Sequence, residues 1–141
     1  MNKKLCPCQS KRSYIDCCEK YHLGKKKPQN AKDLMRSRFC AYALSLSDYI
    51  IKTSHPKNAC FQKDLKTLKE DILRFCKDTS FENLEILDFI EEKEKAFVTF
   101  IAYLKAAKKD LTFTEISHFE KQNGKWLYKD GQLFEGIRRD L

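Results

Sequence analysis

Four cysteines within thirteen residues constrain this chain more than any other feature of its sequence. Cys6, Cys8, Cys17 and Cys18 lie in the stretch CPCQSKRSYIDCC. The chain has seven cysteines in all, and an odd total argues against a framework of disulfide bonds. The MNKK start resembles the basic end of a signal peptide, but a polar stretch follows it where an apolar one is needed. We therefore predict a cytoplasmic protein with reduced thiols.

The spacing C-x-C-x8-C-C favours a metal site. Pro7 stiffens the turn between the first two cysteines, and the next eight residues return the chain to the second pair. Four thiolates form a closed tetrahedral Zn²⁺ site of the structural kind. Zinc binding contributes about 10 kcal/mol to ordering a segment too small to fold alone. Because adjacent side chains diverge, His22 is an alternative to Cys18 as the fourth ligand. A redox pair, a vicinal dithiol and an iron–sulfur site are competing interpretations.

The three remaining cysteines stand singly. Cys40 and Cys76 fall within predicted helices, and we expect both to be buried as small apolar side chains. Cys60 has no assigned role.

The positive charge is concentrated at the N-terminal end. The chain carries a net charge of +8, and residues 1–38 hold eleven Lys and Arg residues against three acidic ones. This charge either balances a negative zinc–thiolate cluster or attracts an anionic partner, such as RNA or an acidic protein surface. No stretch approaches the roughly 20 apolar residues of a membrane span, so we expect none.

After a polar linker, apolar residues recur at helical spacing. The pattern predicts a first helix from Ala31 to about Leu46 with Asn30 as its N-cap. A short second helix starts with Ser47 as its cap and ends before Pro56. A third helix is predicted over residues 61–76.

From Leu84 onward the apolar period changes to two, which is typical of strands. The predicted strands are LEILDFI, KAFVTFIAYLK, LTFTEISHFEK and KWLYKDG, with hairpin turns at EEKE and at Asn123-Gly124. The stretch AFVTFIAYL is apolar on both alternating faces, so its strand is predicted to be central. The fold class is therefore α+β: a knuckle and three helices packed on a curved four-stranded antiparallel sheet, with a cone-shaped pocket between them.

The cysteine spacing resembles the SEC-C motif, the small zinc-binding module at the C-terminus of the preprotein translocase ATPase. Ser10 and Tyr14 also fit that motif. The resemblance implies one structural zinc ion. It also implies a role like that of the translocase module, which contacts a chaperone and the ribosome.

The order of helices and strands resembles the nuclear transport factor 2-like (cystatin-like) fold. The whole chain is similar to the YchJ-like bacterial proteins, which carry an N-terminal SEC-C motif. Two stretches carry this resemblance: residues 6–56, from CPCQ to TSHP, and ISHFEKQNGKWLYKDG near the end. The resemblance implies a zinc knuckle over residues 1–23, a linker over 24–30 and a nuclear transport factor 2-like domain over 31–141.

The candidate pocket residues are Arg38, Tyr42 and His55. Arg38 lies beside the apolar stripe of its helix, where it either binds a carboxylate or phosphate or hydrogen-bonds backbone carbonyls. His55 is either a pocket residue or a group that interacts with a helix C-terminus. Asp88 and Glu115 are the acids able to point inward, and His118 is expected at an edge or on the surface.

The chain contains no nucleophile elbow, glycine-rich phosphate loop or HExxH motif, so we lean against an enzyme. The sequence predicts a zinc protein that acts as a binding or adaptor module, with a protein or ribosome-associated partner at its knuckle. The alternatives are a small-molecule-binding protein or enzyme that uses the cone, and an RNA-associated factor that uses the basic segment. Steep salt dependence of binding would indicate the RNA-associated factor.

Overall fold

Helices cover one face of a single antiparallel sheet, so the predicted α+β class is confirmed. The computed structural model describes residues 4–141; Lys3 of the basic segment falls outside them. The helices are α1 (Glu19–His22), α2 (Ala31–Ala43), α3 (Ser47–Lys52) and α4 (Leu65–Asp78). The strands are β1 (Ser80–Glu91), β2 (Lys95–Ala106), β3 (Lys109–Asp110), β4 (Phe113–Gln122) and β5 (Lys125–Glu135). They pair in the order β1-β2-β4-β5, and β3 pairs with the end of β2.

Helix α2 begins as predicted and ends earlier. Asn30 is extended, and its side-chain Oδ1 accepts the backbone N–H of Asp33 at 2.8 Å, which is the expected N-cap. The helix ends at Ala43 because Ser45 adopts a φ of 60°, a left-handed conformation that terminates a helix. Helix α3 then begins at Ser47, and Leu46 occupies the N-cap position predicted for Ser47.

The start of the third predicted helix was wrong. Phe61 lies in a 3₁₀ turn (Ala59–Gln62), and α4 begins only at Leu65. The reason is a local cap, since the carboxylate of Asp64 accepts the backbone N–H of Thr67 at 2.9 Å. The apolar spacing between Phe61 and Leu65 therefore crosses a break in the helix.

The sheet is longer than predicted at both ends and irregular within. Strand β1 begins at Ser80 rather than Leu84, and β5 continues to Glu135. The predicted Asn123-Gly124 turn is confirmed: both residues have positive φ, 52° and 76°, as the tight hairpin turn requires.

A bulge in β1 decides which predicted acid faces the helices. The pairing register shifts between Ile86 and Asp88, so Leu87 is the extra residue. Upstream, Ile86 pairs with the inward-facing Phe100, whereas Asp88 pairs with Thr99 and Phe89 takes the next inward position. Asp88 is exposed, so the expectation that it could point inward was wrong.

The main core lies between α2 and the concave face of the sheet, and Phe39 of α2 meets the Phe81 ring edge to face at 5.8 Å. Its buried members come from α2, β1, β2, β4 and β5: Ala31, Leu34, Met35, Phe39, Leu84, Ala96, Val98, Phe100, Ala102, Leu104, Phe119 and Trp126. Among the described residues, no helix is long and apolar enough to cross a membrane.

Candidate metal centre and candidate binding cavity

A short backbone ladder brings the first cysteine pair together. Leu5 and Ser13 form an antiparallel bridge, and the Cys6 N–H donates to the Arg12 carbonyl at 2.8 Å. Gln9 and Lys11 between them take φ values of 67° and 71°. These left-handed residues close a tight turn in which both cysteine side chains lie on one side.

The four predicted cysteines converge. The sulfur atoms of Cys6, Cys8, Cys17 and Cys18 all lie within 4.8 Å of one another, and all four residues are buried. Cys8 and Cys17 are 3.5 Å apart, and the adjacent Cys17 and Cys18 are 3.9 Å apart. Zn–S bonds of about 2.3 Å place the sulfurs of a tetrahedral site about 3.8 Å apart. The spacing, the burial and the free thiols therefore fit a metal ion bound by four thiolates.

Within the cluster Cys6 is the thiol that ionises most readily, whereas the pKa values of Cys8 and Cys18 are raised by hydrogen bonds within the cluster and by burial. Hydrogen bonds from Cys18 first, and then from Cys40 and Cys8, hold the pKa of the Cys6 thiol well below its ordinary value. A thiolate is the form of cysteine that binds a metal.

His22 lies beside this group but contacts other partners. Its Nδ1 accepts from the Tyr14 hydroxyl at 2.8 Å, and its Nε2 donates to the Ser37 carbonyl at 2.8 Å. The roles follow because a carbonyl only accepts. Burial lowers the pKa of His22, so the ring is neutral at pH 7. The structure groups Cys18, rather than His22, with the other three sulfurs.

Cys40 adds a fifth thiol that the sequence did not assign to the site. Cys40 and Cys76 are buried, as predicted, but the Cys40 sulfur lies only 3.7 Å from that of Cys6. Helix α2 also contributes Arg36, whose Nη1 donates to the Cys8 carbonyl at 2.9 Å. One face of α2 therefore forms the floor of the cysteine site, a contact that no local spacing could indicate.

The opposite face of α2 closes a cavity of about 630 Å³ between the helices and the sheet. Its walls are mostly apolar, and they include seven phenylalanine rings: Phe39, Phe75, Phe81, Phe100, Phe113, Phe119 and Phe134. At one side Tyr42, Phe75 and Phe81 pack ring against ring, with centroids 5.9 to 6.2 Å apart. This volume is within the range of small-molecule sites.

A small polar group interrupts the apolar walls, and we call Glu115, Ser117, Tyr128 and Arg38 the polar base. The Glu115 carboxylate accepts the Ser117 hydroxyl and, at 3.1 Å, the Tyr128 hydroxyl. Burial raises the pKa of Glu115, although these two hydrogen bonds and the charge of Arg38 oppose that effect. Alternation along β4 had identified Glu115 as an inward acid, whereas nothing in the sequence singled out Tyr128.

Gly131 lies against the same carboxylate. A Cβ built on Gly131 would lie 2.6 Å from Glu115 Oε2 and 2.8 Å from the Tyr128 hydroxyl oxygen. Both distances are shorter than real Cβ contacts allow, so the backbone of β5 approaches the polar base only because residue 131 has no side chain.

Two of the three candidate pocket residues line the cavity. Tyr42 and Arg38 do so, and the Arg38 guanidinium lies 4.7 Å from the centroid of the Tyr128 ring. Arg38 Nη1 donates to the Ile50 carbonyl at 3.0 Å and to the hydroxyl of Thr53 at 2.7 Å. Arg38 therefore joins α2 to the end of α3.

His55 does not line the cavity. Its backbone N–H donates to the Tyr128 carbonyl at 2.8 Å, and its Nε2 lies 3.4 Å from a carboxylate oxygen of Glu120. It lies past Thr53, which is the C-cap of α3, so it is not the helix cap either.

His118 is half-buried and stacks on Phe97 at 4.9 Å. Its strand β4 pairs on both sides, so His118 is not at an edge of the sheet. Of the two predicted positions only the surface one remains, with 20% of the side chain exposed.

Comparison with known proteins agrees over most of the chain. Residues 30–131 match the family described as YchJ, middle NTF2-like domain. A UPF0225 protein from Actinobacillus succinogenes is 42% identical over 131 residues, which cover 92% of this chain and 82% of that protein.

Two solved structures are also similar, and both are of SEC-C motif containing proteins. The one from Rhodopseudomonas palustris has a TM-score of 0.80 at 29% identity, covering 94% of this chain and 98% of its own. The one from Psychrobacter arcticus has a TM-score of 0.74 at 27% identity, covering 94% and 84%.

Proposed function

The chain belongs to the YchJ family, with its NTF2-like middle domain and a SEC-C motif. We propose that it is a zinc-stabilised protein that binds a small molecule in the cavity between the helices and the sheet. The observation that carries this proposal is the aromatic cavity of about 630 Å³ with one buried acid, Glu115. A well-packed core has few voids larger than a water molecule, so a space of this size is typical of a binding site.

Zinc has a structural role in this proposal. Cys6, Cys8, Cys17 and Cys18 hold one Zn²⁺ ion, and four protein thiolates leave no open position for water or substrate. The ion orders the knuckle, which we define as residues 1–23. The knuckle contacts one face of α2: His22 bonds to the Ser37 carbonyl, and Arg36 of α2 donates to the Cys8 carbonyl. The linker over residues 24–30 and the domain over 31–141 complete the proposed division. Thiolate ligands need a reducing compartment, which supports a cytoplasmic location.

Binding can be tested with N-phenyl-1-naphthylamine, a neutral apolar dye whose fluorescence rises when it leaves water. Leu133 borders the cavity and is 65% exposed, so Leu133→Trp narrows the mouth without disturbing the core. Leu65 is 63% exposed and does not border the cavity, so Leu65→Trp is a matched control. We expect the wild type and Leu65→Trp to bind the dye alike, and Leu133→Trp to bind about tenfold more weakly. Equal binding by both variants would place the dye elsewhere and contradict the proposal.

A second candidate function is adaptor binding through the knuckle. Its apolar side chains Leu5 and Ile15 are exposed, and the exposed residues Lys4, Lys11 and Arg12 lie near them in the sequence. A partner surface with apolar and acidic groups, on a protein or a ribosome-associated factor, suits this combination.

The adaptor candidate is tested by comparing Ile15→Ser with Leu141→Ser, which removes an exposed apolar side chain near the other end of the chain. A partner captured by the wild type and by Leu141→Ser, but not by Ile15→Ser, supports the adaptor. Affinity that falls steeply with salt, and is unaffected by Ile15→Ser, indicates RNA instead.

A further inference from the structure

The carboxylate at the polar base is only partly satisfied by the protein. Glu115 is 8% exposed and borders the cavity. The hydrogen bonds from Ser117 and Tyr128 both end on its Oε2. Oε1 receives neither of them. A carboxylate can accept at both oxygens, so Oε1 is available to a donor that enters the cavity.

Arg38 places the opposite charge in the same cavity. Its guanidinium stacks on the Tyr128 ring, whose hydroxyl donates to Glu115. Among the described residues, the hydrogen bonds of Arg38 leave from Nη1, toward Ile50, Thr53 and Ser54. A guanidinium has five N–H donors, so those not on Nη1 are available toward the cavity. The polar base therefore offers one acceptor and one donor group, and the charges of Glu115 and Arg38 offset each other. Asp71 and Glu135 also border the cavity, but Asp71 is paired with Lys63 and Arg74, and Glu135 is exposed to water, so neither sets the charge at the polar base.

This balance restricts the charge of the occupant. An anion beside Arg38 would bring a second negative charge near Glu115, and a cation beside Glu115 would bring a second positive charge near Arg38. Either leaves an uncompensated charge in an apolar space, which is unfavourable. A neutral group that both donates and accepts satisfies Glu115 and Arg38 and adds no charge. The aromatic walls favour a flat ring system for the rest of the molecule.

We propose that the cavity binds a neutral, planar aromatic molecule that carries a carboxamide-type group, with its N–H donated to Glu115 and its carbonyl oxygen directed to Arg38; this assignment rests on the proposed binding function. It specifies the class of ligand, which the cavity volume alone does not.

Four probes that share one ring system test the assignment. They are naphthalene-2-carboxamide, naphthalene-2-carboxylate, 2-naphthylmethylammonium and 2-methylnaphthalene, and their dissociation constants are measured at pH 7 by NMR titration of the full-length zinc-loaded protein. We expect the carboxamide to bind about tenfold more tightly than each of the other three, because it alone satisfies both polar groups. Tighter binding by the carboxylate or the ammonium would overturn the assignment.

Glu115→Gln sharpens the test. It removes the negative charge, keeps the shape and leaves Arg38 uncompensated, so preference should move from the carboxamide toward the carboxylate by about tenfold. Glu92→Gln, which neutralises an exposed acid outside the cavity, should leave the order of the probes unchanged. An unchanged order in Glu115→Gln would contradict the role given to Glu115. Should that variant not fold, the order of the four probes on the wild type alone decides.

The two levels of the proposal fail differently. If all four probes bind equally, the cavity binds apolar molecules and only the carboxamide assignment is wrong. If none of them binds and the apolar dye does not bind either, the proposed function itself is wrong.

Discussion

The knuckle folds around four sulfur atoms. The domain over residues 31–141, which we call the cone, folds around aromatic side chains instead. In the knuckle, residues close in sequence supply the site: Cys6, Cys8, Cys17 and Cys18 are buried although they have little apolar surface around them. In the cone, residues from α2, α4 and four strands meet, and they leave a space that they do not fill. A metal can replace an apolar core in a segment this small, whereas a larger domain can tolerate a cavity because its core is extensive.

The two regions share α2. Ser37 and Cys40 meet the knuckle, while Phe39 and Tyr42 border the cavity. We therefore expect a substitution in the knuckle to change metal content first. A substitution at the cavity should change ligand binding first.

The largest effect is expected from removing one thiol. Cys8→Ser should reduce zinc from one ion per chain to nearly none and lower the free energy of unfolding by about 4 kcal/mol, because the knuckle loses its metal. Elemental analysis of protein purified without added metal and thermal unfolding measure the two effects. Cys60→Ser is the control, since that cysteine lies outside the cluster. Full zinc content in Cys8→Ser would contradict the four-thiolate site. Loss of dye binding in the same variant would mean that the cavity depends on the knuckle.

The next largest effect concerns the cone. Arg38→Met removes the hydrogen bonds to Ile50, Thr53 and Ser54 and should lower the free energy of unfolding by about 3 kcal/mol, with zinc unchanged. Denaturant unfolding measures this loss. Arg74→Met, which changes an exposed arginine on α4, should have little effect. If Arg38→Met has full stability and only loses binding, Arg38 serves the ligand alone.

A smaller effect is expected where the knuckle meets α2. His22→Gln loses the paired contacts to Tyr14 and Ser37 and should cost about 2 kcal/mol in unfolding free energy while zinc content stays at the wild-type level. Cys18→Ser is the opposite case, because it should lose zinc. If His22→Gln loses the metal and Cys18→Ser keeps it, the fourth ligand is His22.

His22 also predicts a dependence on pH. Burial lowers its pKa below the ordinary value of 6.5, so the unfolded chain binds a proton more readily than the folded one. The stabilisation from neutral His22 is complete above pH 6.5 and is lost as the pH falls below that value. Unfolding curves of the wild type and His22→Gln should therefore converge on acidification. Curves that stay parallel would mean that His22 is not buried in its neutral form.

The smallest effect has the opposite sign. Burial raises the pKa of Glu115 above its ordinary value of 4.5, so its ionisation opposes folding as the pH rises above 4.5. The pKa is raised although Arg38 opposes the effect, so the cost of burying the Glu115 charge exceeds its attraction to Arg38. Glu115→Gln should therefore melt a few degrees higher than the wild type at pH 7, and the difference should disappear below pH 4.5. A lower melting temperature at pH 7 would mean that the Glu115 charge stabilises the fold through Arg38.

Local signals predicted much of this molecule. The cysteine spacing indicated the sulfur cluster, alternation indicated the strands, and Asn123-Gly124 fixed a hairpin turn. The start of α4 was missed because an apolar spacing typical of a helix runs across the Asp64 cap. Each of these features depends on a few neighbouring residues.

The rest depends on how distant segments meet. Cys40 approaches Cys6 only because the knuckle lies on α2, which no periodicity records. Asp88 and Glu115 looked equivalent in sequence, and one bulged residue, Leu87, turned the first outward. His55 lies outside the cavity because its backbone N–H bonds to the Tyr128 carbonyl of β5. Such outcomes are set by tertiary packing rather than by local pattern.

The Glu115 carboxylate occupies space that is free only because Gly131 has no Cβ atom. A methyl group at this position would collide with Oε2 of Glu115, the oxygen that accepts the hydrogen bonds of Ser117 and Tyr128. Gly131→Ala should therefore displace the Glu115 carboxylate, although every polar side chain of the cavity is kept. An engineer who wished to retune the cone for a different occupant would leave position 131 untouched and redesign the aromatic walls instead.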